Sequence, residues 1–274
     1  MTNPADVFDD RRDVTARSRR TFPPPSLETI GWGLLLAQII TVGFVYFFGS
    51  ALPALPSLFE YAASGAEGEP ELSSFVTWST VVVGMTLGLI VAFLWLRREG
   101  RVLEAWTLTA PPSGWGKTLA LAAVATAVIF LIFGLVGAAV EAIGLGMPDA
   151  SLVLNMVIES PMMFALWVVG VAWLAAGTGE ELLYRGFLMD RLARVSGLRG
   201  KPWLVIVIQA VLFGLPHAYQ GWGGVVVTGT VGLFLGWLRM QQKGNLWACI
   251  IAHAAVDTIA MALFYADAMG WFAV

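Results

Sequence analysis

The sequence predicts an all-α polytopic membrane protein with about seven transmembrane helices and its N-terminus inside. Of its 274 residues, 58% are hydrophobic and 13% charged, whereas about 25% of the residues in a soluble domain are charged. The apolar residues form runs long enough to cross a hydrocarbon core of about 30 Å. All the Lys and Arg residues lie outside these runs. A soluble enzyme and a disordered chain are therefore excluded, and a single cysteine and a net charge of −3 give no basis for a disulfide framework or for nucleic-acid binding.

Seven apolar runs predict the transmembrane helices, which in chain order are 29–49, 75–96, 118–140, 162–183, 203–220, 223–238 and 245–266. Only Gly221 and Trp222 separate the fifth run from the sixth, which predicts a tight helical hairpin. The fourth run ends close to Glu180 and Glu181, so its end is the least defined. Eight helices is the alternative count.

The basic residues predict the orientation of these helices. All sixteen Lys and Arg residues lie in the N-terminal tail and in the second, fourth and sixth connections. Since positive charge accumulates on the inner side of a membrane, we expect the N-terminus inside and the C-terminus outside. Residues 1–28 are polar and end in Pro23-Pro24-Pro25, which predicts a disordered cytoplasmic tail. Residues 29–145 form an N-terminal set of transmembrane helices.

Few ionisable side chains lie within the apolar runs or just beyond the end of the fourth run, and each is a candidate for function because burying it in hydrocarbon is costly. Both histidines of the chain are among them. These residues are Glu180, Glu181, Arg185, His217, His253 and Asp257. They belong to the C-terminal half of the chain, which indicates that this half carries the functional site.

The spacing of these residues is helical. Glu181 and Arg185 are four residues apart and can form an ion pair on one helix face, whereas Glu180 is rotated by about 100° and is free to point elsewhere. His253 and Asp257 are also four residues apart. Cys249 lies on the same stripe and is read as a small apolar filler. We predict one polar cavity that contains Glu180, His217, His253 and Asp257, suited to acid–base catalysis on water or to proton movement.

Three motifs in this region resemble those of a known family. Glu180-Glu181-Leu-Leu-Tyr-Arg185 fits E-E-x-x-x-R, Phe213-Gly-Leu-Pro-His217 fits F-x-x-x-H, and His253-Ala-Ala-Val-Asp257 fits H-x-x-x-[N/D]. In this order they resemble the CPBP (Abi) family of intramembrane proteases, which includes the type II CAAX prenyl endopeptidases and bacteriocin-processing relatives. The resemblance covers residues 160–266, which we expect to form the catalytic core.

The resemblance implies a role for each matching residue. Glu180 would be the general base that takes a proton from water, His217 would hold and polarise that water, and His253 and Asp257 would face the developing oxyanion. Asp257 departs from the Asn common in prenyl endopeptidases. A carboxyl group can donate a hydrogen bond only when protonated, so we favour the alternative that Asp257, four residues along the helix, keeps His253 charged.

The resemblance also implies supporting residues, which are Glu181, Arg185 and Phe213. Whether the site needs a metal is left open by the residues themselves. Two histidines and a carboxylate can form a catalytic zinc site, for which His217, His253 and Glu180 are the candidates, and such proteins are often labelled metalloproteases. The sequence has no H-E-x-x-H motif. We favour water activation by Glu180 without a metal and assign no cofactor.

The sequence therefore predicts an integral, multi-pass membrane endopeptidase, expected in a bacterial plasma membrane. It would cleave a peptide or membrane-protein substrate near the inner face, in contact with lipid and without nucleic acid. Two alternatives remain. One is a non-catalytic scaffold or bacteriocin-immunity-type protein that retains the motifs. The other is a proton-coupled transporter, against which the lack of an internal repeat counts.

Overall fold

The protein is helical throughout the part of the chain that the computed structural model describes, residues 28–272, apart from short connections. The predicted tail 1–28 lies outside the described residues, except for Glu28. The helices are α1 (Trp32–Ser50), α2 (Leu55–Ser64), α3 (Ser74–Arg98), α4 (Val102–Ala105), α5 (Trp115–Ala142), α6 (Ser151–Val157), α7 (Pro161–Arg194), α8 (Pro202–Gly214), α9 (Gly221–Gln241) and α10 (Trp247–Ala268). Two 3₁₀ segments, Leu52–Ala54 and Leu215–Gln220, precede α2 and α9.

Six helical stretches within residues 28–272 are long and apolar enough to cross a membrane. Their outer surfaces carry large apolar side chains, such as Phe44, Phe47 and Leu135, which are 59%, 69% and 64% exposed. A water-soluble protein does not leave this much apolar surface uncovered. The predicted all-α polytopic membrane fold is therefore confirmed, whereas the number of crossings and the orientation stay predictions.

One of the six stretches, residues 202–241, folds back on itself as the predicted hairpin. A Cβ atom on Gly232 of α9 would lie 3.0 Å from Cα of Ala210 in α8, and one on Gly214 would lie 2.6 Å from the carbonyl oxygen of Val225. The two helices are thus antiparallel and in close contact. The helix tightens into the 3₁₀ segment at Leu215, and the chain turns at the predicted Gly221, whose φ is 82°.

Helix α7 is longer than predicted and differs in type along its length. It begins as an α-helix, continues as a π-helix from Trp167 to Leu188, and ends as an α-helix at Arg194. The prediction that this helix ends at 183 is wrong, because buried ion pairs accommodate the charged residues that follow. Glu180 consequently lies well inside the helix and not at its end.

The end of α7 is fixed by a cluster of buried charges. One carboxylate oxygen of Glu99 accepts hydrogen bonds from Arg191 (2.6 Å) and Arg194 (2.5 Å), and its other oxygen accepts one from Gln38 of α1 (2.8 Å). Asp190 also pairs with Arg101. Burial disfavours the charged form of Glu99, but the bonds from Arg194 and Arg191 outweigh this effect and lower its pKa. The cluster therefore joins α1, the α3–α4 connection and α7.

At the helix ends opposite to the Glu99 cluster, two segments are helical that the sequence did not predict as helices. Helix α2 follows α1 directly and has no buried residue, and α6 lies in the α5–α7 connection. The α5–α6 loop contacts the tip of the hairpin, where the amide of Asp149 donates to the carbonyl of Gln220 and the amide of Gly223 donates to that of Leu145. These two bonds hold the tip of the hairpin, just after His217, against the bundle.

Candidate active site

Helix α7 supplies the first group of site residues. Glu181 and Arg185 form the ion pair predicted from their spacing, with 2.9 Å between Oε1 and Nη1, and both side chains are fully buried. The guanidinium group of Arg185 also lies 4.0 Å from the ring of Phe213. Since a buried ion pair is costly to break, the pair fixes both side chains beneath the site.

Helices α7 and α10 approach closely at this level. A Cβ atom on Gly177 would lie 2.6 Å from that of Ala254, and one on Gly179 would lie 2.5 Å from the side chain of Met85 in α3. The missing side chains allow α7 to pack against both neighbours, as small residues commonly do between membrane helices. This packing brings Glu180 and Glu181 next to His253.

The imidazole ring of His253 lies among three carboxylates. Its Nδ1 is 2.8 Å from Oε1 of Glu181, and its Nε2 is 3.8 Å from Oε2 of Glu180 and 3.9 Å from Oδ2 of Asp257. Because an ionised carboxylate only accepts hydrogen bonds, Nδ1 carries the proton in the bond to Glu181. The other nitrogen, Nε2, therefore faces Glu180 and Asp257.

The two carboxylates at Nε2 differ from Glu181 in exposure. The side chains of Glu180 and Asp257 are 21% and 29% exposed, and that of His253 is 12% exposed. Oε2 of Glu180 is buried and has no hydrogen-bond partner among the described residues. These three groups therefore line a polar recess, with Glu181 and Arg185 below it.

The second motif lies on α8 and the 3₁₀ segment that follows it. Nδ1 of His217 lies 3.0 Å from the carbonyl oxygen of Phe213. A carbonyl oxygen only accepts, so Nδ1 is the protonated nitrogen and Nε2 of a neutral ring is an acceptor. No hydrogen bond joins His217 to Glu180, His253 or Asp257 within the described residues. It is brought to the site through Phe213.

The ring of Phe213 contacts all three motifs. Its centroid is 5.1 Å from that of Tyr184 and 5.3 Å from that of His217, and 6.1 Å from that of His253. Phe213 is itself 1% exposed. The ring thus acts as an apolar spacer on which the polar groups of α7, α8 and α10 are arranged.

The residues that the sequence indicated as metal ligands are not arranged as a metal site. Across residues 28–272, no group of three or more His, Cys, Asp or Glu side chains is placed to hold a metal ion. The donor set does not fit a metal as it stands.

The structure adds residues that the sequence analysis did not select. Tyr184 packs edge-on against Phe213, and the ring of Tyr219 stacks on that of His217 at 6.2 Å. Tyr184 lies inside the first motif, and Tyr219 lies two residues after the second. This closeness to the motifs is the sequence signal that could have identified both residues. The Glu181–His253 bond joins two helices and has no counterpart in sequence spacing.

The fold and the site together define an integral, multi-pass membrane protein with a buried carboxylate–imidazole site among its C-terminal helices. Residues 161–259 match the family model of type II CAAX prenyl endopeptidase, Rce1-like. The matched segment contains all three motifs, so the family resemblance is confirmed, and it supports a CAAX-protease-type intramembrane endopeptidase. The match does not support bacteriocin processing or a metalloprotease. No curated protein and no solved structure matches the chain.

Proposed function

We propose that the protein hydrolyses a peptide bond within the membrane by means of water activated by Glu180. One observation carries this proposal. Oε2 of Glu180 is buried without a hydrogen-bond partner among the described residues, and it lies 3.8 Å from Nε2 of His253. That distance is too long for a direct hydrogen bond and suits two groups that bind the same small molecule, such as water.

Glu180 is the general base. Its carboxylate takes a proton from the water as the water oxygen attacks the carbonyl carbon of the substrate. The resulting tetrahedral intermediate collapses when the C–N bond breaks, and Glu180 returns the proton to the leaving amine nitrogen. A positioned base of this kind contributes about 10²- to 10⁴-fold to the rate.

His253 stabilises the oxyanion. Its bond from Nδ1 to Glu181 fixes the ring and directs Nε2 into the recess. A protonated His253 donates from Nε2 to the oxygen that becomes negative, and a donor fixed in advance is worth about 10²- to 10³-fold in kcat. Asp257, which is 3.9 Å from Nε2, lies beside the same point and supports the imidazolium.

His217 holds the water. With Nδ1 bonded to the carbonyl of Phe213, the neutral ring offers Nε2 as an acceptor for one water proton while Glu180 takes the other. Two acceptors orient the oxygen lone pair of the water toward the substrate. This assignment needs His217 to be neutral, which the single bond to a carbonyl allows.

The substrate class follows from the matched family. We propose a C-terminal peptide of the C-a-a-X type, or a related peptide at the membrane surface, with the recess open to the inner face. The proposed host membrane is a bacterial plasma membrane.

A matched pair of variants tests the proposal. Purified protein in lipid nanodiscs is incubated with farnesylated and unmodified C-a-a-X peptides, and the products are identified by mass spectrometry. Glu180→Gln keeps the shape but removes the base, so cleavage should fall about 10²- to 10⁴-fold. Glu141→Gln, at an exposed carboxylate on α5, should cleave as wild type does. Activity retained in Glu180→Gln would show that Glu180 is not the base, whereas no activity in folded wild type would indicate a scaffold that keeps the motifs.

A further inference from the structure

Three fully buried polar side chains on α7 and α8 retain atoms without a hydrogen-bond partner among the described residues. Nε and Nη2 of Arg185 have no hydrogen-bond partner among the described residues, and neither do Oε2 of Glu181 and both amide atoms of Gln209. All three residues are fully buried, with 0% of each exposed. Buried polar groups in proteins are almost always hydrogen-bonded to protein or to ordered water.

Phe213 relates Gln209 to Arg185. Gln209 precedes Phe213 by one turn of α8 and so lies on the same face of that helix. Arg185 stacks on the ring of Phe213, with 4.0 Å from Cζ to the ring centroid. Stacking covers the faces of the guanidinium group but leaves its in-plane N–H groups directed outward, where they need acceptors.

Gly236 of α9, which has no side chain, lies next to the amide of Gln209. A Cβ atom there would lie 3.0 Å from Oε1 of Gln209, closer than most Cβ contacts. The glycine therefore leaves room for the amide of Gln209 in a position that an alanine would disturb.

We propose that Gln209, Arg185 and Glu181 bind an internal water molecule that completes the hydrogen bonds of the Glu181–Arg185 pair. The donors and acceptors match those of water, because the water accepts from the free N–H groups of Arg185 and donates to Oε2 of Glu181 and Oε1 of Gln209. An internal water makes about three such bonds. Gln209 is then a positioning residue that acts through Arg185 and Glu181 on the orientation of His253.

The water site is tested without any assay of activity. Protein labelled with ¹⁵N-arginine is placed in lipid bilayers, and transfer of magnetisation from water protons to the side-chain nitrogens is measured by solid-state NMR. The signal of Arg185 is identified by its loss in Arg185→Lys. We expect water transfer to Nε of Arg185 in the wild type and its loss in Gln209→Met, which has a similar size but no amide.

Two controls make this result specific. Gln38→Met removes the other fully buried glutamine, which bonds to Glu99, and should leave the Arg185 signal unchanged. Gly236→Ala should weaken the signal, whereas Gly229→Ala on the same helix should not, since its Cβ atom would be an ordinary 3.6 Å from the nearest atom. The glycine pair also replaces Gln209→Met if that variant does not fold.

The absence of water transfer to Arg185 in the wild type, or equal transfer in Gln209→Met, would overturn the inference. The effect on catalysis rests on the proposed function, so it is measured separately. Gln209→Met should lower kcat about tenfold with little change in KM, since a hydrogen bond to a charged group is lost. An inactive wild type with a normal water signal would refute the proposed function and leave the water site intact.

Discussion

Oε1 of Glu181 lies 2.8 Å from Nδ1 of His253, which directly joins the first and third motifs. The same oxygen accepts a hydrogen bond from Arg185 at 2.9 Å. Asp257, on the helix of His253 itself, is 3.9 Å from the other ring nitrogen. The carboxylate that orients His253 therefore comes from α7, and not from the neighbour four residues along α10.

Glu181→Gln should change the hydrogen bonding of Nδ1 of His253 more than Asp257→Asn does. A neutral amide is a weaker acceptor than a carboxylate, so the bond at Nδ1 weakens. Because the chain has two histidines, ¹⁵N-histidine labelling gives two sets of ring signals, which is a simple spectrum to follow. We expect the Nδ1 shift of His253 to move in Glu181→Gln and to stay near the wild-type value in Asp257→Asn.

His217 serves as the internal reference in this experiment, since its Nδ1 bonds to the backbone of Phe213 and should be unaffected by either change. A larger shift of the His253 Nδ1 signal in Asp257→Asn than in Glu181→Gln would instead assign the orienting role to Asp257.

Arg185→Ala should strongly destabilise the protein. The change removes the guanidinium partner of the buried carboxylate of Glu181, and breaking a buried pair costs about 3–5 kcal/mol. Arg185→Lys should restore part of this stability, because an ammonium group supplies charge but not the planar fork. Thermal unfolding in detergent measures the effect, with Arg97→Ala, at an exposed arginine near the end of α3, as the control. Equal melting temperatures for Arg185→Ala and Arg97→Ala would contradict a formed pair.

Acid should weaken the charge cluster at Glu99. The pKa of Glu99 lies below its ordinary value of 4.5, because the hydrogen bonds from Arg194 and Arg191 outweigh the opposing effect of burial. A lowered carboxyl pKa contributes stability that is present above the unfolded pKa and is lost as the pH falls through the folded value. Glu99→Gln should thus melt at a lower temperature than wild type at pH 7.

The difference between Glu99→Gln and wild type should narrow as the pH falls below about 4.5. Glu104→Gln, at an exposed position in α4, should follow the wild-type melting curve at every pH. A difference in melting temperature between Glu99→Gln and wild type that stays constant down to the lowest pH would show that the charge of Glu99 does not cause the stabilisation.

Gly177→Ala should disturb the contact of α7 with α10. Its Cβ atom would lie 2.6 Å from that of Ala254 and 2.7 Å from the carbonyl oxygen of Ala172, so one helix must move. Overpacking of this kind costs about 1–3 kcal/mol. Gly134→Ala is the matched control, since a Cβ atom on Gly134 meets nothing within 4 Å. Melting temperature and the His253 signals together check the prediction, and a Gly177→Ala variant unchanged in both would refute it.

The positions of the basic residues predict the orientation. A reporter fused after Val274 should be active outside, and one fused near Met240 should be active inside, because all sixteen Lys and Arg residues lie in the tail or in even-numbered connections. Both reporters on the same side would mean that α10 does not cross the membrane.

The sequence predicts the interactions that repeat along one helix. Glu181 and Arg185 pair as their spacing indicates, and the hairpin forms where two apolar runs meet. Contacts between helices depend on depth and rotation, which helical periodicity does not determine. The Glu181–His253 bond and the contact of Gln38 with Glu99 are of this second kind. The sequence places the end of α7 too early for a related reason, since charged residues continue a helix once partners from other segments neutralise them.

Replacing Phe213 would allow the protein to be controlled by a small added compound. One buried ring separates groups on three helices, so the volume of a single side chain sets the spacing between the motifs. Phe213→Ala would leave a hole the size of a benzene ring, and apolar cavities of this kind bind benzene. A small aromatic compound in the medium could then fill the hole and return the motifs to their spacing. The variant would act as a chemically switched form of the protein, inactive until the missing ring is supplied.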